Sequence, residues 1–584
     1  MSGHMRLLPL ALAASLLFVS ATARSQGVQT VGNGCGGNAG VGASLDLVGT
    51  LDLGSTSNMV AHGMPAPTAG VLLYSFHGGE WNGIQLPLPL QGLGITGCSL
   101  ALRPDMQMPF WAVNGTMTWP VRIPRLRSYE GQTLYGQAFF IDPLANAAGI
   151  GATPGVSGTI AINEAPTSMV SSITQWGITF VFAHPVRAGQ FAGGDWFVVG
   201  EAPIVDMQPP VAIVGGRTQN GAMIDPDPST PRQGYDSSLY STYAGFYDPT
   251  LNCALGVGTA TPLLLAPGHS LVKTISSTDT TRVPRLRTAA VLTTVPTVPR
   301  VGSFRPPYAG TDHQVRFDTG MLDLDRLLAL SPTPGAPDLA TETARFERVW
   351  LDHAPSWIGR MMHPTDNMPD YGRDLASLLG EAMLLCNTNL PLAQRALLAQ
   401  RIVQIGIDDY GVLHAGGRWP GTGGHGSGRK MPILFAGALL RDPAMLGIGQ
   451  GYVSQRLASG TATTFFGEDC QTFYVAQTGT GVINWGYGDY SPADVGRADW
   501  GFAHVDFPQD DHAAWDSSPY RVCCTANAWV GHVLVARMMG LVPAWNHPAL
   551  FDYTDRYMTT ATTPWERAWS PWVAAMWDSY RQQF

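Results

Sequence analysis

The spacing of apolar residues changes near Gly302, and the change divides the chain into two kinds of structure. Before it, short apolar stretches such as GVLLYSF and TLYGQAFFID are separated by Gly, Pro and Asn, a pattern typical of β-strands and turns. After it, seven stretches have apolar residues at helical spacing. The 584 residues are too many for one hydrophobic core, so we expect several domains.

These patterns predict a multidomain α+β protein. We expect residues 25–165 to form a β-sandwich-like accessory module and residues 166–300 a second β-rich domain. Residues 301–584 alternate helical stretches with Gly- and aromatic-rich loops. Because a plain helical bundle does not need such elaborate loops, we expect a C-terminal α/α toroid, an incomplete barrel of helical hairpins.

The first residues have the composition of an export signal. Arg6 precedes the apolar run LLPLALAASLLFVS, and a small-residue cleavage sequence ends at Ala23. We therefore expect residues 1–24 to be a signal peptide and the mature protein to be secreted or periplasmic. No later apolar stretch is long enough to predict a membrane span.

The net charge and the cysteines limit the possible functions and disulfides of the protein. A net charge of -9 argues against nucleic-acid binding, which needs a basic face. Cys35 and Cys98 flank one N-terminal segment and are candidates for pairing, whereas Cys386 lies in a helical pattern typical of a buried thiol. Cys523 and Cys524 are adjacent, and the odd total of seven leaves at least one thiol unpaired.

A glycine-rich stretch from Gly416 to Lys430, GGRWPGTGGHGSGRK, immediately precedes a helical pattern. Such a stretch places backbone amides and polar side chains at a helix N-terminus, which favours anion binding. Trp419, His425 and Arg429 within it are the polar and aromatic candidates. A flexible surface loop is the alternative interpretation.

Two further polar clusters precede helical patterns, one at residues 363–373 and one at residues 515–521. In a toroid, alternate helices point the same way, so the three clusters are expected to meet at one cleft. Each residue alone is also explained as a helix cap or a core residue. The predicted substrate-binding residues are Tyr371, Arg373, Trp419, Arg429, Lys430, Arg497, Trp515 and Arg521.

The helical region resembles the toroid-fold polysaccharide lyases that act on uronic-acid polymers, of the alginate and glucuronan lyase kind. The resemblance covers roughly residues 302–584 and rests on the helical pattern, the loops and the pool of Asn, His, Tyr and Arg residues. The adjacent Asn-His pair of several toroid alginate lyases is absent. The N-terminal segment resembles β-sandwich modules appended to exported bacterial proteins, through the Cys35 to Cys98 segment and YGQAFFIDP.

The resemblance implies β-elimination of an acidic polysaccharide. A proton next to a carboxylate is acidic only when the carboxylate charge is compensated, and a base must then remove it. By analogy, Asn367 would neutralise the carboxylate with help from an arginine, and His425 would be the base. The catalytic candidates are Asn367, His425, Tyr487, Tyr490 and His504, with Tyr487 or Tyr490 as the acid.

Two alternative functions and the presence of a structural metal ion stay open at this point. A glycoside hydrolase would use paired carboxylates, and a non-catalytic carbohydrate-binding protein would use the β modules. We expect no required cofactor, although a structural metal ion is an alternative without diagnostic ligand spacing. The hydrolase candidates are Asp408, Asp409, Glu468, Asp469, Asp489 and Asp494, and the metal candidates are His363, His414, His425, Glu468, Asp469, His504 and His512.

Overall fold

A computed structural model describes residues 27–38, 42–124, 126–239, 246–279, 284–355, 357–456, 462–477, 490–501 and 521–584. The chain divides into two compact units, one ending at Asn163 and one beginning at Glu164. The division falls beside the predicted boundary at residue 165. Residues 166–300 and 301–584, predicted as separate domains, belong to a single unit.

The N-terminal unit consists of antiparallel strands in two main sheets. One sheet has the order β1-β13-β11-β4-β9 with β12 beside β11, and the other has the order β10-β3-β2. The strands are β1 (Gln29–Val31), β2 (Ser44–Val48), β3 (Thr56–His62), β4 (Thr68–Ser75), β5 (Glu80–Trp81), β6 (Ile84–Gln85), β7 (Leu88–Pro89), β8 (Ser99–Leu100), β9 (Met106–Ala112), β10 (Met117–Arg122), β11 (Thr133–Ile141), β12 (Ile150–Ala152) and β13 (Gly155–Thr159).

Local sequence explains these strands. In β3, Ser57, Met59 and Ala61 are buried while their neighbours are not, as expected where alternate side chains face one core. Asn82 and Gly83 both have positive φ and form the two-residue turn between β5 and β6. The predicted disulfide between Cys35 and Cys98 is confirmed.

The C-terminal unit begins with an eight-stranded sheet of order β20-β22-β23-β16-β15-β17-β21, with β14 beside β15. Its pairs are antiparallel except for β16 with β23. The strands are β14 (Thr167–Gln175), β15 (Ile178–Gln190), β16 (Trp196–Val199), β17 (Ala202–Gln208), β20 (Ala222–Ile224), β21 (Leu263–Leu265), β22 (Ser270–Ser276) and β23 (Leu286–Val295), with a separate ribbon of β18 (Ala212–Val214) and β19 (Arg217–Gln219).

Strand β23 is covered on both faces, which explains its nearly continuous burial. Ala289 and Val291 pack into the same core as the helices, whereas Ala290 and Leu292 pack into the core of the sheet itself. Alternate residues of one strand therefore pack against both predicted domains.

The remainder of this unit contains helices separated by short two-stranded ribbons. The helices are α1 (Leu339–Arg345), α2 (Gly372–Cys386), α3 (Leu392–His414), α4 (Lys430–Leu440), α5 (Pro443–Leu446), α6 (Ile448–Gly451), α7 (Gly467–Gln471), α8 (Ala526–Met538), α9 (Val542–Trp545), α10 (Pro548–Thr560), α11 (Pro564–Arg567) and α12 (Pro571–Tyr580). The ribbons pair β24 (Gln455–Arg456) with β25 (Ala462–Thr463) and β26 (Thr472–Tyr474) with β27 (Ala498–Trp500).

The prediction of an α/α toroid is wrong. Over the described ranges, no ring of repeated helical hairpins is present. From α4 onward, helices of four or five residues and two-stranded ribbons lie between the longer helices, which are α2, α3, α4, α8, α10 and α12. All eleven residues of α4 are buried, so this helix packs on every side. The helical spacing in the sequence identified helices but not their arrangement, which depends on contacts with the sheet.

Glycines bring α2 and α8 close together. Gly380 and Gly531 face each other, and a Cβ on Gly531 would lie 3.0 Å from the Cα of Gly380. Only residues without a side chain permit this approach. Among the described residues, none of the helices is both long enough and apolar enough to cross a membrane.

Candidate functional site

The beginning of α2, the turn before α8 and the glycine-rich loop before α4 lie against one another. A Cβ on Gly372 would overlap the carbonyl oxygen of His425, and a Cβ on Gly424 would overlap the carbonyl oxygen of Cys524. At each glycine, the backbone of another segment therefore fills the space that a side chain would need. We call the cluster formed here by Trp357, Arg360, Asp370, Tyr371, Arg373 and His425 the helix-start site.

Replacing Gly372 tests this packing. Gly372 does not have positive φ, so Gly372→Ala should act through its clash with the loop rather than through backbone conformation. We expect a loss of about 1–3 kcal/mol in the free energy of unfolding, as for overpacking elsewhere. Gly451→Ala is the matched control, since a Cβ there meets nothing within 4 Å. Equal denaturant midpoints for the two variants would contradict the close contact.

His425 is the central titratable group of the site. Its ring makes an edge contact with Tyr371, with ring centroids 4.5 Å apart, and lies 6.3 Å from the ring of Trp357. The side chain is half-buried. Nδ1 is buried and has no hydrogen-bond partner among the described residues.

The ring of His425 is held in its neutral form. Burial lowers its pKa, and the nearby charges of Arg360 and Arg429 lower it further, to about 3. Asp370 acts in the opposite direction but does not reverse the shift. At neutral pH the imidazole therefore has a free lone pair, which a general base requires.

Arg373 provides a fixed cation at the edge of the site. Its Nε donates to Asp374 at 2.7 Å, and its Nη1 donates to the carbonyl oxygen of Cys523 at 3.1 Å. The guanidinium also lies over the rings of Tyr371 and Trp569. Nη2 has no acceptor within the described part of the chain, which leaves its two N–H groups without a partner there.

A second cation, Arg360, lies in a 3-10 turn (Trp357–Met362) and forms an ion pair with Asp370. Both side chains are partly exposed, at 26% and 33%. The site therefore combines a neutral imidazole, two aromatic rings and two arginines, each of which is paired with a carboxylate.

A buried ion-pair cluster holds the glycine-rich loop in place. The carboxylate of Asp352 accepts a hydrogen bond from Arg429 Nε at 2.6 Å and lies 3.0 Å from His363 Nε2. Burial by itself raises the pKa of Asp352, but the charges and hydrogen bonds of Arg429 and His363 outweigh it and give a pKa of about 2. Arg429 also donates to the carbonyl oxygens of His425 and Ser427.

Three predicted substrate-binding residues are in the interior. Lys430 is 1% exposed, forms an ion pair with Asp469 and donates to the carbonyl oxygen of Trp545 at 2.7 Å. Trp419 is 2% exposed and Arg429 is 4% exposed. The expectation that Trp419, Arg429 and Lys430 contact substrate does not fit this burial, because their polar groups are already paired. They fix the loop that carries His425.

Four of the carboxylates proposed for a hydrolase, Asp408, Asp409, Glu468 and Asp469, are also buried. Glu468 is fully buried, accepts a hydrogen bond from the Gly428 amide at 2.6 Å, and has a pKa raised by burial to about 7. Burial raises the pKa of Asp409 well above its ordinary value. Asp408 pairs with the buried Arg305. These groups are buried in the interior, whereas hydrolysis needs two carboxylates that flank a substrate.

Other candidates are dispersed or undescribed. The side-chain amide of Asn367 donates to the carbonyl oxygens of Arg348 and Val349, so Asn367 supports that loop. Arg497 pairs with Asp494 and Asp499 beside the ring of Tyr490. Arg521 begins a π-helical turn (Arg521–Thr525) before α8. Outside the described residues lie Tyr487, Asp489, His504, His512 and Trp515.

Sequence reasoning missed several features of this region. Trp357 and Arg360 carry no motif that separates them from ordinary core and surface residues. Cys523 and Cys524 form a disulfide within the turn before α8, and their adjacency was the only available signal. Trp569 was missed because it lies far along the chain from Arg373.

Over the described ranges, no group of three or more His, Cys, Asp or Glu side chains is arranged to hold a metal ion. A cavity of about 220 Å³ lies at the end of α3, lined by Tyr410, His414 and Arg316 among others, and His425 does not line it.

Comparison with protein-family models finds no match, and a search of curated proteins finds no significantly similar sequence. The functional interpretation therefore rests on the chemistry of the helix-start site.

Proposed function

We propose that the protein is a secreted polysaccharide lyase that cleaves a uronic-acid-containing polysaccharide by β-elimination at the helix-start site, without a required cofactor. The observation that carries the proposal is the half-buried, neutral imidazole of His425 beside the partly exposed cations Arg360 and Arg373. The proposal does not depend on a toroid, and the enclosed carboxylates give the hydrolase alternative no comparable site.

The reaction would proceed through charge compensation and proton transfer. Arg373, through its unpaired Nη2, compensates the substrate carboxylate, so that the neighbouring C5 proton becomes more acidic. His425 Nε2 takes that proton, the C4–O bond breaks, and a C4–C5 double bond forms. The departing oxygen receives a proton from an acid, for which Tyr487 or Tyr490 stays the sequence-based prediction.

The lowered pKa of His425 predicts the pH dependence of kcat/KM, which reports the free enzyme. A histidine with an ordinary pKa of about 6.5 loses its free base as the pH falls through that value. The lowered pKa of about 3 instead preserves the base well below neutrality. We therefore expect no acid limb in the profile between about pH 7 and about pH 5. An acid limb centred near the ordinary histidine pKa would contradict this protonation state.

Product analysis tests the reaction class. The mature protein should be incubated with a panel of uronic-acid polymers while ultraviolet absorbance and new reducing ends are measured together. Elimination predicts that both signals rise in parallel, because each cleavage forms one unsaturated product. New reducing ends without absorbance would establish hydrolysis, and binding without new ends would establish a non-catalytic carbohydrate-binding protein; either result overturns the proposal.

A further inference from the structure

Two exposed tryptophans lie close to the beginning of α8. Trp565 is 48% exposed and Trp569 is 44% exposed. Both are held through Asn527, whose side-chain amide donates to the carbonyl oxygen of Trp565 and whose carbonyl oxygen accepts from the Trp569 amide, each at 3.2 Å. Since exposed tryptophans lose the benefit of burial, their fixed position at this place calls for an explanation.

Trp569 is joined directly to the helix-start site through Arg373. The Arg373 guanidinium carbon lies 4.1 Å from the centroid of the Trp569 ring and 5.1 Å from that of Tyr371. Asp374 and the carbonyl oxygen of Cys523 hold the same guanidinium in place. The cation and the exposed ring therefore form one preorganised surface.

We propose that Trp569 forms a subsite that binds one uronate residue of the polysaccharide, next to the reacting residue whose carboxylate Arg373 holds. This inference rests on the proposed function and extends it to the recognition of the chain. The exposed part of the indole ring offers an apolar surface for the C–H groups of a pyranose ring. The Nη2 group of Arg373 is suited to the carboxylate of the reacting residue, for which guanidinium has matching geometry.

The proposal distinguishes recognition from chemistry. Trp569 is a binding residue, since its ring is proposed to contact the neighbouring sugar rather than the residue that reacts. Its loss should raise KM for long substrates with little change in kcat. Because the guanidinium is already fixed by Asp374 and Cys523, little conformational entropy is lost when a ligand binds.

Calorimetric titration with a polyuronate of defined length tests the subsite. Each variant is placed in the His425→Ala background, so that no cleavage disturbs the measurement. We expect Trp569→Ala to weaken binding roughly threefold to tenfold, the loss of one aromatic contact. Trp569→Phe should restore most of the affinity. Trp111→Ala is the matched control, because Trp111 is 65% exposed and belongs to the N-terminal unit.

Affinity in Trp569→Ala equal to that in Trp111→Ala would overturn the subsite, provided that both variants show the same thermal unfolding as their background. If Trp569→Ala unfolds early, Trp569→Phe decides, since it keeps a ring over Arg373. A polymer with its carboxylates reduced to alcohols should bind more weakly, and equal binding would overturn the role of Arg373.

This experiment can fail independently of the proposed reaction. Binding that depends on Trp569, in a protein that yields no unsaturated product, would preserve the subsite and refute the lyase. Unsaturated product with binding that is indifferent to Trp569 would preserve the lyase and refute the subsite.

Discussion

His425→Ala should lower kcat for β-elimination by about 10²–10⁴-fold, the usual contribution of a general base. The ring is the neutral imidazole between Tyr371 and Trp357, and its Nε2 is the atom proposed to take the C5 proton. Steady-state kinetics on a uronic-acid polymer measure the loss. We expect the free energy of unfolding to change by no more than about 1 kcal/mol, because the buried Nδ1 makes no hydrogen bond among the described residues.

The matched control is His414→Ala, at the end of α3, where the ring is exposed and stacks on Tyr410. This control should retain wild-type kcat. Full activity in His425→Ala would remove His425 from the mechanism, and equal losses in both variants would show that the effect is not specific to the site.

Asp352→Ala should destabilise the protein by about 3–5 kcal/mol, the effect expected when one partner of a buried ion pair is removed. Asp352 is 5% exposed, and the change would leave Arg429 buried without its carboxylate. His363 would lose the same partner. Denaturant unfolding measures the loss.

Asp578→Ala provides the control for a surface pair. Asp578 binds Arg567, but its side chain is 52% exposed, so its removal should cost less than about 1 kcal/mol. A loss in Asp352→Ala no larger than in Asp578→Ala would show that the buried cluster does not support the loop.

Asp352 also makes a pH prediction for stability with a definite sign. Its folded pKa of about 2 is below the ordinary value, so its stabilising effect is present above the unfolded pKa and disappears only as the pH falls through about 2. The ion-pair cluster should therefore persist throughout the range in which activity is measured.

Local sequence patterns predicted the elements better than their arrangement. Alternation in β3 and the Asn82-Gly83 turn depend on neighbouring residues, and both are visible in the sequence. The toroid prediction was wrong because a helical period does not reveal that Val291 packs with the helices while Leu292 packs with the sheet. Such pairings depend on residues distant in the chain.

The candidate site was predictable to a similar extent. The glycine-rich loop identified His425, and the polar clusters before helices identified Tyr371 and Arg373 as its neighbours. Sequence did not reveal that Arg429 is paired with Asp352, 77 residues away, or that Lys430 is paired with Asp469, 39 residues away. A charged side chain appears accessible in a sequence until its buried partner is known.

The most direct test of the proposed reaction uses a polyuronate labelled with deuterium at C5 and mass spectrometry of the products. Proton abstraction by His425 predicts unsaturated products that have lost the deuterium of the cleaved residue, formed more slowly than from unlabelled substrate. Saturated products that retain the deuterium would contradict β-elimination.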